Sequence, residues 1–375
     1  MKRSDTSAVN GIGLRNVVVA ASVVALVGLG IVTMPFATPV GATSTGVLSG
    51  VSCIGKVCIV VGSTNNSGGT AVIAKTANNG STWSAKTAPS GASAYNAVSC
   101  VSTTFCIAVG QDASNNPDIA VSPAIGAKWI AQTAPAADGP LYAVNCHSTT
   151  QCWAGGYSSG FVSGAMADTS NGGTTWSPET VPAGSSGIAQ VTGVSCKGSP
   201  TVVCFASGSG TQYVFSAPFL MTSTSNKTSW TQIPVGVSSI GQLNAISCST
   251  AKKCVTVGQV NGAGYILTST NATTWTPEIV PTGFSTLNGV GCITATTTCY
   301  AVGKLSTGAA AVAVSTTSGV TWTAQATPTG AGAMAAISCI KSTTCVAVGT
   351  ATAGGGAVIA TTNSGSTWTL ETSPV

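Results

Sequence analysis

Apolar and polar residues alternate in short bursts along this chain. "YNAVSC" (Tyr95 to Cys100) alternates with a period of two and reads as a half-buried strand. "CIAVG" (Cys106 to Gly110) follows across a tight turn as a second, apolar strand. "GAVIATT" (Gly356 to Thr362) is rich in β-branched residues and shows the third strand of such a unit, and "STWTLETSP" (Ser366 to Pro374), closed by proline, the fourth. Turn residues separate all four, and no segment carries helical periodicity of useful length.

The unit returns seven times, at a spacing of 44 to 54 residues. All fourteen cysteines fall into close pairs: Cys53 with Cys58, Cys100 with Cys106, Cys146 with Cys152, Cys196 with Cys204, Cys248 with Cys254, Cys292 with Cys299 and Cys339 with Cys345. Four residues after each second cysteine stands a glycine, from Gly62 to Gly349, and 17 to 22 residues later a tryptophan, from Trp83 to Trp368. A repeat of this length predicts an all-β, seven-bladed propeller of four-stranded antiparallel blades. The blades are expected at 47–90, 94–136, 140–183, 188–235, 241–282, 286–329 and 333–375. Each is contiguous in sequence. The ring should therefore close by packing of the first blade on the last, not by strand exchange.

Composition changes this picture only at the N-terminus. The chain is 44% hydrophobic and 6% charged, yet no apolar run past residue 42 approaches the ~18 residues that span a bilayer. Before that point, Lys2, Arg3 and Arg15 precede an apolar run from Val17 to Met34, with small residues at Val40 and Ala42. Residues 1–42 read as a secretory signal peptide cleaved after about Ala42, or as an uncleaved membrane anchor. Both place residues 43–375 outside the cytoplasm, secreted or at the cell surface. That remainder holds ten lysines, no arginine and seven acids. The lysines are scattered, and Lys252-Lys253 is the only adjacent pair. The sequence therefore shows no basic stripe for nucleic acid and no polybasic segment for lipid.

The cysteines flank the turn between the first two strands, so partners face each other within disulfide range. An even count and an oxidising destination agree with one hairpin bridge per blade. Zinc sites use other spacings or partner histidines, and the only histidine is His147. Redox pairs use Cys-x-x-Cys, which is absent. The reading is a monomeric propeller without metal or cofactor.

Ahead of each tryptophan lies a second signature, clearest in "TANNGSTW" (Thr76 to Trp83), "TSNGGTTW" (Thr169 to Trp176) and "TTNSGSTW" (Thr361 to Trp368). It resembles the Asp-box, or bacterial neuraminidase repeat, with the acid replaced throughout. Together with the "LNAISC" type of first strand, the pattern is similar to propellers related to photosystem II assembly factors, and also to sortilin-type and xyloglucanase propellers. The resemblance implies a hairpin turn before a tryptophan that packs between blades. Sialidases of this kind hold their substrate with three arginines, which residues 43–375 lack.

Acids are few. Glu179, Glu278 and Glu371 share a slot three residues after the tryptophan, which is expected to be exposed because Gln and Lys occupy it elsewhere. Asp168 aligns with Lys75 and Val121 and reads as a rim position, and His147 as an exposed turn residue. Asp112, Asp118 and Asp138 fall in loops expected at one end of the ring. They are the candidate acids of a glycoside hydrolase, which needs a carboxylate pair. The favoured alternative is a non-catalytic binding or scaffold module. Its face would carry Tyr95, Asp112, Asp118, Asp138, Tyr142, Tyr157, Tyr213 and Tyr265, a mixture suited to a protein or carbohydrate ligand.

Overall fold

The computed structural model describes residues 46–375, apart from 66–68, 136–137, 183–187, 213–214, 225–227 and 237–238. The signal peptide or anchor expected over 1–42 lies outside the described residues. The rest forms seven four-stranded antiparallel sheets, each with its strands in sequence order. The first blade comprises Val47–Ile54, Val57–Ser63, Ala71–Thr76 and Ser84–Lys86, and the seventh Ala331–Lys341, Thr344–Ala351, Gly356–Thr361 and Thr369–Glu371. The helix described is a single 3-10 turn, Ser159–Phe161. Among the described residues no helix is long and apolar enough to cross a membrane.

The cysteines pair as their spacing predicts. Bridges join Cys53 to Cys58, Cys100 to Cys106, Cys146 to Cys152 and Cys196 to Cys204 in the first four blades. In the last three they join Cys248 to Cys254, Cys292 to Cys299 and Cys339 to Cys345. Each pair lies in direct register across the first two strands, with Cα atoms 4.0 to 4.1 Å apart. Such a separation marks a non-hydrogen-bonded pair of an antiparallel ladder. The first cysteine therefore turns its N–H away from its own sheet, off the free inner edge of the blade. An exposed edge of this kind needs a partner.

The residue before the first cysteine of the preceding blade supplies it. Cys100 N–H donates to Ser52 Oγ, Cys146 to Ser99 Oγ, Cys196 to Asn145 Oδ1, Cys248 to Ser195 Oγ and Cys292 to Ser247 Oγ, all at 2.9 to 3.0 Å. Cys53 N–H closes the circle on Ser338 Oγ of the seventh blade at 3.0 Å. The seventh place, facing Cys339, is held by Gly291, which has no side chain to offer. Ser338→Ala leaves the Cys53 N–H unpaired at the closing seam. We expect a cost of about 2 kcal/mol, read as a lower denaturant midpoint at unchanged slope.

The core lies between blades. Each buried cluster joins the middle strands of one blade to the next, as Ile59 and Ile73 of the first blade meet Tyr95, Ala108 and Trp129 of the second. The closing interface has its own cluster, with Val346, Val348 and Val358 against Leu48, Val51 and Val60. The tryptophans pack here as expected: Trp275 stands edge-on to Phe205 at 5.8 Å, and Trp368 to Tyr300 at 6.2 Å. The turns before them show how asparagine replaces an acid. Asn78, Asn171 and Asn363 each accept the N–H of the threonine four residues on, at 3.0 Å, and donate Nδ2 to its hydroxyl. The turn needs an acceptor oxygen rather than a charge.

Antiparallel blades give the ring two unlike ends. One carries the first-to-second and third-to-fourth turns, hence the bridges; we call it the cysteine end. The other carries the second-to-third loops and the links between blades, the loop end.

Candidate functional site

Each first strand bulges opposite the repeat glycine. The register slips between Tyr95 and Ala97 against Gly110, between Leu243 and Ala245 against Gly258, and between Leu287 and Gly289 against Gly303. The extra residue is left unpaired by its own sheet. These residues line a cavity of about 160 Å³ along the axis, one Xaa-small-aliphatic triplet per blade. Their side chains link the blades a second time. Asn96 Nδ2 donates to Leu141 O, Asn244 Nδ2 to Leu287 O and Asn288 Nδ2 to Met334 O at 2.8 to 2.9 Å, and Thr192 Oγ1 donates to Leu243 O. Tyr142 occupies the same place in the third blade and is the one aromatic member of the ring. The signal was present in the sequence, four residues before each first cysteine, but its meaning depends on knowing that the strand bulges there.

From Tyr142 an aromatic ladder climbs to the loop end of the third blade. Tyr142 meets Tyr157 edge-on at 5.9 Å, and Tyr157 meets Phe161 at 5.1 Å. Tyr157 Oη donates to Gln190 Oε1 of the fourth blade at 3.2 Å, which fixes the middle rung. Phe161 is 51% exposed and Val162 81%. Phe161 holds φ +60°, a left-handed conformation that costs a bulky L-residue. The loop is tied off beneath by Ser158 N–H to Ser163 O at 2.7 Å and Ser163 N–H to Ser158 Oγ at 3.0 Å. Asp138 pairs in register with Ser158 at its base. Its side chain is buried rather than solvated in a loop, its Oδ2 has no partner among the described residues, and burial pushes the carboxyl up to about 6.

The structure thus brings together Asp138, Tyr142 and Tyr157 of the expected set, and adds Phe161 and Gln190. The others separate from them. Tyr95 is not on the surface: it is wholly buried in the interface of the first two blades, because its strand position faces inward at the bulge. Its hydroxyl donates to Asp118 Oδ1 at 2.7 Å. Burial raises the tyrosine, and the Asp118 charge and hydrogen bond add to that; burial also raises Asp118. Asp112 and Asp118 lie on strand ends, Phe105–Asp112 and Pro117–Ser122, rather than in the loop between them. Asp112 is occupied by its own turn, accepting from Asn116 Nδ2 and from the N–H groups of Ser114 and Asn116, and the Asn116 side chain leads in holding it below the usual carboxylate range. Tyr265 is half-buried on the fifth blade, and Tyr213 lies outside the described residues.

The slot after the tryptophan is not uniformly exposed. Glu179 is half-buried and accepts the Trp230 indole N–H at 2.7 Å. Trp176 and Trp322 instead donate to the carbonyl of the glycine in their own turns. The turn before Trp230 has Lys227 at that glycine's place. Thr180 also bonds across the blades, donating to Thr228 O and accepting from Trp230 N–H. Burial pushes Glu179 up to about 7, the Trp230 and Trp153 indoles oppose the rise, and Asp168 adds to it.

Glu179 and Asp138 therefore take up protons more readily in the fold than in the unfolded chain. Stability is greatest where both are protonated and falls as pH rises from the ordinary carboxylate range through about 6 and about 7. Unfolding temperatures should fall between those limits and level off above them. Glu179→Gln with Asp138→Asn should flatten the profile; an unchanged slope in the double variant refutes the assignment. His147, held down by burial and by Lys197, acts in the opposite sense, so the difference between the two proteins is the measure.

No family model and no curated protein matches the chain. Solved structures do. YCF48 bound to a D1 peptide is 17% identical, over 82% of this chain and 90% of its own, with TM-score 0.56. The BP39L lectin from Burkholderia pseudomallei is 15% identical, over 88% and 99%, with TM-score 0.60. A GH74 xyloglucanase from Xanthomonas campestris is 13% identical, over 87% of this chain and 53% of its own, with TM-score 0.60. The seven-bladed fold is thus shared with the assembly-factor and xyloglucanase propellers that the repeat resembles. At such identities the likeness is one of fold.

Proposed function

We propose that the protein is an exported, non-catalytic propeller that binds a protein segment or a glycan at the cell surface through its loop end. The observation that carries this is Phe161, a half-exposed aromatic held at φ +60° on a ladder of two tyrosines rising from the axial cavity. Strain kept at an exposed aromatic is a mark of recognition rather than packing. Asp138, Tyr142, Tyr157 and Gln190 form the contact set around it, with Asp112 and Tyr265 further round the same end. Seven bridges support an oxidising, extracytoplasmic compartment, and residues 1–42 would serve as the signal peptide. Propellers of this fold include a peptide binder and a lectin. The hydrolase reading is weaker because Asp112 and Asp118 already accept hydrogen bonds from their own blade.

A glycan array and a surface-protein capture with the purified protein test the proposal. Phe161→Ala and Tyr157→Ala should each weaken the captured ligand about tenfold or more. Binding indifferent to both variants refutes the site. Glycan cleavage that Asp138→Asn abolishes would establish the hydrolase instead.

A further inference from the structure

Six lysines dispersed in sequence share one end of the ring, while Lys75 and Lys86 lie on third and fourth strands, Lys304 stands at the loop end and Lys227 lies outside the described residues. Lys56, Lys128, Lys197, Lys252, Lys253 and Lys341 all stand on turns or strand ends of the cysteine end, and all but Lys197 are exposed. No acid occupies any of those turns: Asp112, Asp118 and Asp138 lie at the loop end, Glu179 and Glu371 on fourth strands, Glu278 just past the fourth strand of its blade, and Asp168 within a third strand. The expectation of scattered charge is corrected by topology, which folds distant turns onto one end. Among the described residues, the exposed large apolar side chains of the two ends differ too. Phe161, Val162, Ile240 and Ile279 belong to the loop end, Val320 and Ile130 to the cysteine end, and Leu370 to the middle of a fourth strand.

A groove of about 500 Å³ opens on this cationic end, across the seam where the seventh blade meets the first. Lys56 comes from one side of the seam and Lys341 from the other, with Asn79, Ile340, Thr343 and Thr362 between them. A hollow of about 130 Å³ shares Asn79 and Thr362 and continues the groove outward past Asn78, Ser81 and Thr367 to Glu371. The lining is therefore two ammonium groups beside Ile340, followed by a run of amides and hydroxyls that ends on the Glu371 carboxylate, so the anionic groups of a ligand belong at the lysine half.

We propose that this groove binds a chain of an acidic polysaccharide, with its carboxylate or sulfate groups at Lys56 and Lys341 and its hydroxyls on the asparagine and threonine side chains. Ammonium groups pair with either anion as point charges, and amide and hydroxyl groups both donate to and accept from sugar hydroxyls. A bilayer presents a flat anionic surface and cannot enter a concave seam. A single-stranded nucleic acid would want exposed aromatic platforms, which the described residues do not provide at this end. The site is remote from the loop end, so the protein would hold an acidic polymer with one face and leave the other free.

The test uses the intact protein with polygalacturonate, dextran sulfate, neutral dextran and vesicles of anionic phosphatidylglycerol. Binding to one or both polyanions, weakened by salt and absent for neutral dextran, is expected; which polyanion binds tells carboxylate from sulfate. Lys56→Ala with Lys341→Ala should weaken it about tenfold or more. Lys252→Ala with Lys253→Ala removes equal charge from the same end but outside the groove, and should change it less than about threefold. Equal losses in both double variants, binding to vesicles but to neither polysaccharide, or no binding at all would each overturn the proposal. All four lysines are exposed, and unchanged unfolding temperatures establish that the variants fold. Phe161→Ala should leave this binding intact, so failure here and failure at the loop end are told apart.

Discussion

Once its seven bridges are reduced this propeller should be unable to refold, and complete reduction should require the ring to be opened first by denaturant. The second cysteine of every pair, Cys58, Cys106, Cys152, Cys204, Cys254, Cys299 or Cys345, is at most 2% exposed. The first is buried too in the first five blades and only partly buried at Cys292 and Cys339, so native access for a thiol reductant is confined to the last two bridges. In native buffer, mild reductant should leave the bridges of the first five blades intact and add at most the four hydrogens of the last two. In denaturant it should raise the mass by two hydrogens for each of the seven bridges. Each bridge joins cysteines 5 to 8 residues apart in sequence, for which chain entropy gives about 2 kcal/mol. Seven such contributions are as large as the whole net stability of a typical domain, about 5 to 15 kcal/mol. The reduced chain, returned to native buffer, should therefore fail to regain its native near-ultraviolet signal until it is reoxidised. Replacing one pair by alanines should cost about 2 kcal/mol and act mainly on that blade and its neighbours, because contacts in a ring of repeats are between neighbours. Free thiols in the native protein, or a reduced chain that melts at the native temperature, would contradict this account.

The ring, its bridges and the interblade tryptophans could be read from the sequence because they depend on spacing alone. Cysteines flanking a hairpin turn have one available partner, and seven copies repeat the inference. The candidate site was only partly legible. Tyr95 and Tyr142 fall on successive steps of equivalent strands, "AYNAVSC" and "PLYAVNC". The bulge sends Tyr95, beside it, into the interblade core and Tyr142, on it, toward the axis. Alternation by itself does not reveal a bulge, so the two tyrosines looked alike. Glu179 was misread for a similar reason. Its repeat slot is set by the fourth strand, but its surroundings are set by the next blade, where the Trp230 indole reaches across instead of bonding its own turn. The polarity of the two ends was invisible because it is a property of which turns share an end, not of neighbouring residues.

Two glycines of the sixth blade should respond to substitution in opposite directions. Gly303 is the repeat glycine of the second strand and faces the bulge at Leu287. A Cβ there would sit 2.0 Å from Thr286 O and 2.7 Å from Leu287 Cα, both backbone atoms. Neither can rotate away, so Gly303→Ala has to push the first strand off the second. We expect a loss of about 3 kcal/mol or more. The same contact recurs at every repeat glycine, with Cβ to carbonyl oxygen distances of 1.9 to 2.1 Å, which is the physical reason for glycine at that step. Gly291 stands in a different situation. Its Cβ would meet nothing closer than Ile337 O at 3.4 Å, an ordinary contact. It also occupies the one place in the inner circle where the residue before the first cysteine offers no acceptor. Gly291→Ser should give Cys339 N–H the partner that its six counterparts already have, a gain of about 1 kcal/mol. Loss of glycine's freedom in the unfolded chain adds a few tenths more, roughly 0.4 to 1 kcal/mol. Gly291→Ala carries that second contribution without the first, so the difference between the serine and alanine variants isolates the hydrogen bond. Denaturant midpoints of the three variants decide the matter. A serine variant no more stable than the alanine variant would remove the seventh link from this account, and a Gly303→Ala protein within about 1 kcal/mol of the parent would remove the bulge as the cause of the repeat glycine.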